Sequence, residues 1–524
     1  MPVADTEVAV LIVGGGPVGL TARALLERWG VRVLLVEKHR ELSPFPRSRL
    51  VNVRSMEIYR QLGLAAGITA NAFAPEYGRI RFRDTLCDRD FATAAMVGVN
   101  APVPESPVTG VVTSQDRLEP TLLAAAGAQV RFGTELTGLA EETDSVVALL
   151  VDRRGDETRV RARYVIAADG ATSTVRQRLG IDTTGPGAMG GFTTVVFDAD
   201  LDRWCAHQPA GVYFTAHGLF GPLYPERGWA WFVPTPEDAA HTDWSDLLAR
   251  AISPGAGVRA DVLRVQHWVM NAFVAERFRH GRILLTGDAA HAVPIVGGLG
   301  MNAGIADVHN LCWKLAGVLH GWAEPSLLGS YEAERQPVAH RTLRQAVENT
   351  RLLLHVQNRR REQRRTSEAA PAHVELPWSD RYFAQLGLVL GATYHSGAVL
   401  ADNSTPPEPS DTGTDYIPTA EPGRRMPHLW LAPDRSTLDA LGEWFTLLTP
   451  DPTHWQQQTT APWPLHIEAL PDEHTDLCGL RSHGALLIRP DGHIGARWRD
   501  RPPSDTALHH ALTTITRSTP RDGQ

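Results

Sequence analysis

Three short segments carry the residue types that bind a large, negatively charged, flat cofactor. In Gly14-x-Gly16-Pro17-x-Gly19, Gly14 permits a tight turn, Gly16 lets a pyrophosphate approach the backbone, and Gly19 lets the following helix pack closely on its strand. The phosphates would meet the unpaired N–H groups at that helix start, where the dipole also favours negative charge. Glu37 ends the next apolar run and is placed to accept hydrogen bonds from ribose hydroxyls, with Lys38 beside it at the adenosine end. The second segment runs from Tyr164 through Asp169-Gly170 to Ser173 and Arg176. Alone it reads first as a surface turn with a helix cap. In the third, from Gly281 to Asn302, an apolar strand delivers Asp288, and Pro294 leads into a turn with Gly297, Gly298, Gly300, Met301 and Asn302. An aspartate at a strand end suits ribityl hydroxyls, and a glycine-rich helix start suits the electron-rich edge of a flavin.

These residues need parallel strands to bring them together. The run Val8–Val13 predicts a strand buried on both faces, a helix follows to Trp29 with Gly30 as its stop, and Val31–Val36 predicts the second strand of a βαβ unit. Residues 184–278 change character to short alternating aromatic runs, such as Thr193–Phe197 and Trp229–Val233, which predict an antiparallel sheet. Helical periodicity returns over Asn310–Leu319 and from Glu332 to about Arg365, whose arginine-rich end suits a helix C-terminus. Residues 366–376 and 402–424 read as linkers or loops, and Ala485–Arg489, Pro490-Asp491-Gly492 and His493–Trp498 read as a hairpin.

The chain has 524 residues, more than one core supports. A net charge of −8 gives no electrostatic reason to expect nucleic acid or an anionic membrane as partner. Four cysteines without metal-ligand or CxxC spacing read as reduced thiols, and no metal site is expected. Asp5 and Glu7 stand where a secretory signal would carry positive charge, and no apolar run approaches the ~20 residues of a membrane span, so a cytoplasmic protein is expected. Only Lys38 and Lys314 are lysines.

Together the three segments resemble the FAD-dependent aromatic hydroxylases, the para-hydroxybenzoate hydroxylase group, and more closely its longer phenol, chlorophenol and polyketide hydroxylases. The likeness continues through His309–Leu315, Tyr331–Arg335, Pro422–His428 and Leu487–Gly492. It implies an α/β Rossmann-like FAD-binding domain of the glutathione-reductase type, an antiparallel-sheet substrate domain and a C-terminal thioredoxin-like domain. The expected division is 1–76, 106–183 and 279–365 for FAD binding, 77–105 and 184–278 for substrate, 366–394 as linker, and 395–524 as the C-terminal domain. It further implies that Arg47 contacts FAD near the pyrophosphate and flavin, that Gln115 is a FAD-binding glutamine, that Asp169 serves both nucleotides, and that Pro294 lies beside the flavin ring. Ile295 and Leu299 depart from the family's proline and glutamine, both of which line the flavin.

With one dinucleotide fold, NAD(P)H, NADPH favoured, must bind transiently as co-substrate. The resemblance implies hydride transfer to the flavin, addition of O2 at C4a, and attack of the resulting hydroperoxide on an electron-rich ring, in a monomer or homodimer. A polycyclic natural-product intermediate is the expected substrate class, with a simple phenol as the alternative. Tyr213, His217, Tyr224, Trp231 and His267 fall in the expected substrate domain, each reading first as an aromatic packed in a sheet, and no catalytic base is assigned. Gly228–Pro234 looks like a flavin-halogenase segment, but neither lysine is placed to reach a substrate. Baeyer–Villiger oxidation on the same scaffold and a non-catalytic flavin-binding protein remain the rivals.

Overall fold

The computed structural model describes residues 6–255, 257–366, 374–379, 381–402, 413–456, 462–502, 504 and 506–517. Asp5 and parts of the two loop-like stretches, 367–373 and 403–412, therefore lie outside the described residues.

The first sheet is built on parallel strands in the order Ile283–Leu285, Glu157–Ala167, Thr6–Val13, Val33–Glu37, Val130–Phe132. Helices and the antiparallel pair Thr134–Glu141 and Val146–Asp152 pack against these strands, so Val10, Leu11 and Ile12 are fully buried, which explains a run with no polar alternation. The helix Pro17–Arg28 crosses between the first two strands and stops where Gly30 turns left-handed at φ +71°. Because the strands are parallel, their C-terminal ends share one edge. The register pairs Val13 with Val36 and with Ala167, and Ala167 with Leu285. Gly14, Glu37, Asp169 and Asp288 thus emerge side by side from positions far apart in the chain.

The second sheet has eight strands, with Thr183–Ala199 and Ala260–Ala275 at its centre and Trp229–Pro234 beside them. It corrects the expectation of a purely antiparallel sheet: Arg79–Phe82 pairs parallel with Val212–Thr215. Those two strands come from separate excursions of the chain, so no hairpin forces them antiparallel. His291–Ala292 adds the edge strand and ties this sheet to the third sequence segment.

The third sheet, in the order Leu465–Ala469, Phe445–Thr449, Ala485–Ile488, Ile494–Trp498, contains the expected hairpin. Buried charges join it to the rest. Glu334, on the long helix Gly329–Thr366, accepts from Arg489 Nη1 at 2.6 Å and Nη2 at 2.9 Å, and from Lys314 Nζ at 2.7 Å. Glu57 likewise accepts from Arg425 Nε at 2.9 Å and Arg54 Nη1 at 3.0 Å. Removing one member of such a cluster leaves an uncompensated charge, so the junction is far less tolerant than a surface contact. Within the span expected as a linker, Tyr382, Phe383 and Leu386 are buried. Among the described residues, no helix is long and apolar enough to cross a membrane.

Candidate active site

One cavity of about 740 Å³ runs along the C-terminal edge of the first sheet and under the second. The glycine turn forms one end. Gly14 has φ +110°, and a side chain there would overlap the carbonyl of Ala168, so only glycine closes this turn against the neighbouring strand. A side chain on Gly19 would overlap Gly14 O, whereas Gly16 has open space around it. Two of the glycine roles inferred from spacing, turn and packing, are thus steric, and at the third the backbone has open space beside it. Gly16 also starts the helix Pro17–Arg28 without any side-chain cap. Gly298, at φ +63°, starts the helix Leu299–His320 equally uncapped. Both helix ends border the cavity, leaving first-turn N–H groups for a ligand.

Acidic side chains are distributed along this edge. Glu37 accepts from Gly15 N at 2.6 Å and His39 N at 2.9 Å, which pins its carboxylate over the glycine turn. Asp169 accepts from Ser173 Oγ at 2.6 Å and Val175 N at 3.1 Å, while Ser173 caps the short helix Thr174–Arg178. The turn-and-cap reading of this segment therefore holds together with its place in the cavity wall. Burial pushes the Asp169 carboxyl above its ordinary value despite those bonds. Asp288 is open to the cavity yet surrounded by protein, and burial raises it too, against the opposing pull of His291 and Arg47. Glu119 is raised to about 7, chiefly by burial, with Gln115, Ser43 and Arg47 holding it down. Gln115 accepts from Ser48 N at 3.1 Å and donates to Glu119 at 2.7 Å, bracing the loop that carries Arg47.

The loop presenting Asp288 is anchored from behind. Buried Asp307 accepts from Gly287 N at 3.1 Å and Arg335 Nε at 2.8 Å and bonds His291 Nε2 at 2.6 Å. Burial alone would raise the Asp307 carboxyl, but His291 and Arg335 outweigh it and hold it at about 2.

Of the residues singled out from sequence, Gly14, Gly16, Pro17, Glu37, Lys38, Arg47, Gln115, Asp169, Asp288, Pro294, Gly298, Gly300 and Met301 line the cavity. Gly19 does not, and acts through packing. Asn302 does not either: its side chain accepts from Asn52 N at 2.9 Å and donates to Leu50 O at 2.9 Å and Gly298 O at 2.7 Å, stapling the helix start to the Leu50 strand. Ile295 and Leu299, the two departures, both line the wall. Tyr213, His217, Tyr224, Trp231 and His267 do not line the cavity. Tyr213 donates to Gln208 O, Trp231 Nε1 donates to His217 O at 2.9 Å, Tyr224 bonds Asp116, and His267 bonds Thr193 at 2.8 Å. Lys314 is buried with Glu334 and Asn310, away from the cavity.

Sequence reasoning missed the apolar wall. Phe214, Leu219, Phe232 and Trp268 of the second sheet face the cavity, as does Phe383 from the expected linker. Strand alternation contained part of this signal, because Phe232 must point opposite to Trp231, but nothing local says which face is covered. Arg49, two residues beyond Arg47, was also missed.

The arrangement fits FAD. It offers an open glycine, two uncapped helix starts, a carboxylate over the turn and a carboxylate at the far strand end, all on one elongated cavity. Comparison with known proteins agrees. Residues 7–346 match the family described as FAD binding domain, and residues 419–518 match the aromatic-ring hydroxylase C-terminal family. The chain belongs to the FAD-dependent aromatic hydroxylases. This hydroxylase is 35% identical over 489 residues to aklavinone 12-hydroxylase DnrF of Streptomyces peucetius, covering 88% of this chain and 95% of the relative. The crystal structure of the flavin-dependent monooxygenase PieE with FAD and substrate superposes with a TM-score of 0.88 at 31% identity, over 98% of this chain and 100% of that one. A ternary complex of aklavinone-11 hydroxylase with FAD and aklavinone superposes with a TM-score of 0.84 at 31% identity, again over 98% and 100%. The enzyme is a FAD-dependent aromatic monooxygenase.

Proposed function

We infer that this enzyme is an NAD(P)H-dependent monooxygenase that hydroxylates an electron-rich ring of a polycyclic, polyketide-derived aromatic. The observation that carries the reading is the composition of the cavity. One wall consists of the glycine turn, Glu37, Asp169 and Asp288, and the opposite wall is the apolar face carrying Phe214, Phe232 and Trp268. The likeness to enzymes named for aklavinone supports the substrate class. When bound, FAD supplies hydride acceptance from NAD(P)H and activation of dioxygen.

The chain's own residues bind, orient and exclude water. Gly16 and the uncapped helix start behind it would hold the diphosphate, Glu37 the adenosine ribose and Asp288 the ribityl chain, while the helix start at Gly298–Met301 would supply N–H groups to the pyrimidine edge. Arg47 supplies a positive charge beside them. The aromatic wall keeps the reacting face dry, which matters because water diverts activated oxygen into peroxide. NADPH is favoured, and Asp169 serves both nucleotides. The third sheet has a parallel βαβ half and an antiparallel hairpin followed by the helix Ala507–Thr516, an order that supports a thioredoxin-like unit without CxxC chemistry.

The test is a screen of polycyclic and simple phenols against the purified yellow protein. NADPH consumption accelerated by a polycyclic phenol, with one atom from 18O2 in a ring hydroxyl of the product, is the expected result. Absence of acceleration across the panel refutes the reading.

A further inference from the structure

The cavity wall contains a cation without a counter-ion. The Arg49 side chain lines the cavity, and its guanidinium lies against the second sheet, donating from Nη1 to Gly211 O at 3.0 Å and from Nη2 to Pro222 O. Its Nε is buried with no hydrogen-bond partner, and among the described residues no carboxylate forms an ion pair with it. The site is shaped for the group, since a side chain at Gly221 would occupy the position of Nη1. The second-sheet side of the cavity wall carries the apolar Ile80, Phe214 and Leu219, and Met96 lies beside Gly211. Six acids line the same cavity, Glu37, Glu41, Glu119, Glu135, Asp169 and Asp288, and none acts on Arg49, whose affinity for its proton is lowered to about 10 by burial alone. It remains charged at neutral pH. A half-buried guanidinium held only by two carbonyls, with its Nε unpartnered, is stabilised by an anion that completes it. The cations of the buried junctions, by contrast, each have such a partner: Arg335 with Asp307, Arg425 with Glu57, Arg489 with Glu334, Lys314 with Glu334.

We propose that Arg49 is a substrate-positioning residue that holds the ionised phenol oxygen of the aromatic substrate against the second-sheet wall of the cavity. The phenol proton leaves to solvent on binding, and the bound phenolate is both anchored and made more electron-rich at the ring carbons to be hydroxylated. This deepens the hydroxylase reading and rests on it. A fixed guanidinium within contact lowers an acid's pKa by about 1–3 units in a desolvated site.

The experiment titrates 1,8-dihydroxyanthraquinone, whose visible band reports its ionisation, bound to the FAD-loaded enzyme. The wild-type protein should bind the dye with its first ionisation shifted down by at least about one unit, a tenfold or greater preference for the anion. Arg49→Met should abolish the shift with an unchanged flavin spectrum, and should bind the dimethyl ether of the dye as the wild type does. Arg49→Lys, which keeps the charge, should retain most of the shift and guards against a misfolded Met variant. The proposal is overturned if the wild type fails to bind the dye or leaves its ionisation unshifted. It is equally overturned if Arg49→Met keeps the shift, or if the variant alters the flavin spectrum and FAD affinity while the dye titrates as in wild type, which would assign the cation to the flavin. A shift lost in Arg49→Met supports the assignment even where no aromatic accelerates NADPH oxidation, a result that sinks the hydroxylase reading instead.

Discussion

Asp307→Asn isolates the anchor behind the cofactor loop from the loop itself. The carboxylate is wholly buried and holds three groups: the amide of Gly287, His291 Nε2 and Arg335 Nε. Asparagine preserves the volume but leaves Arg335 without its carboxylate, a change of the kind that costs about 3–5 kcal/mol in a buried cluster. The displacement from the ordinary 3.8 to about 2 gives an independent figure of roughly 2 kcal/mol for the favourable environment of the ionised form. A loss of about 2–5 kcal/mol is therefore expected at pH 7, read as the urea midpoint of tryptophan fluorescence at fixed FAD. FAD retention should fall with it, because Gly287 immediately precedes Asp288. The pH dependence carries a sign. The folded pKa lies below the unfolded one, so the contribution is complete above about pH 4 and disappears as pH falls towards 2. The difference between wild type and Asp307→Asn should be flat from pH 5 to 8 and shrink below pH 4. A variant within about 1 kcal/mol of wild type and fully loaded with flavin would refute the reasoning.

Gly16→Val and Gly19→Val should separate binding from folding. The first has open space around it, so the apo protein should melt as wild type while FAD affinity collapses; the second overlaps Gly14 O and should lose about 1–3 kcal/mol as well as FAD, both read by thermal melting and flavin titration. Arg489→Ala leaves Glu334 with the Lys314 cation alone and takes the arginine from Asp491, and should destabilise the whole chain by about 3–5 kcal/mol; a urea curve in which only the C-terminal unit shifts would contradict the shared buried junction. His309 is held down to about 3, chiefly by burial and then by Arg54. Its folded pKa lies below the unfolded one, so wild type should lose stability as pH falls from about 6.5 towards 3, and His309→Asn should flatten that part of the profile in urea titrations at stepped pH.

The features legible in the sequence are those that one-dimensional spacing determines. Val8–Val13, the three glycines and Glu37 lie within a single βαβ unit, so local steric rules placed them. Asp169 and Asp288 were legible because each ends an apolar run, and parallel strands put all such ends on one edge. The substrate wall was not, because alternation defines two faces of Trp229–Pro234 without saying that Phe232 faces the cavity and Trp231 the core. Arg49 was hidden for a related reason: its meaning comes from Gly211, Gly221 and Pro222, which only the tertiary fold brings to it. Asn302 was found as part of a motif, and the fold adds a role the motif does not contain: its side-chain amide serves the backbone of the Leu50 strand.

The rarity of lysine acquires a physical meaning at position 314. In a chain with two lysines and 49 arginines, one lysine is fully buried against Glu334 and Asn310. The acceptors there are already crowded: Glu334 takes Arg489 twice, Ser396 at 2.6 Å, Asn310 at 2.7 Å and Lys314 at 2.7 Å. An ammonium needs three acceptors at most and occupies little space, whereas a guanidinium brings five donors in a rigid plane. Lys314→Arg keeps the charge and still should destabilise by about 1–3 kcal/mol, through overpacking and unpaired N–H groups. Lys314 is itself lowered to about 8, chiefly by burial and against the pull of Glu334, so the site already bears a charge at some cost and has little room for a larger one. Urea midpoints of the two proteins at pH 7 decide it, and coincident curves would mean that charge alone, not the shape of the ammonium, is what this junction requires.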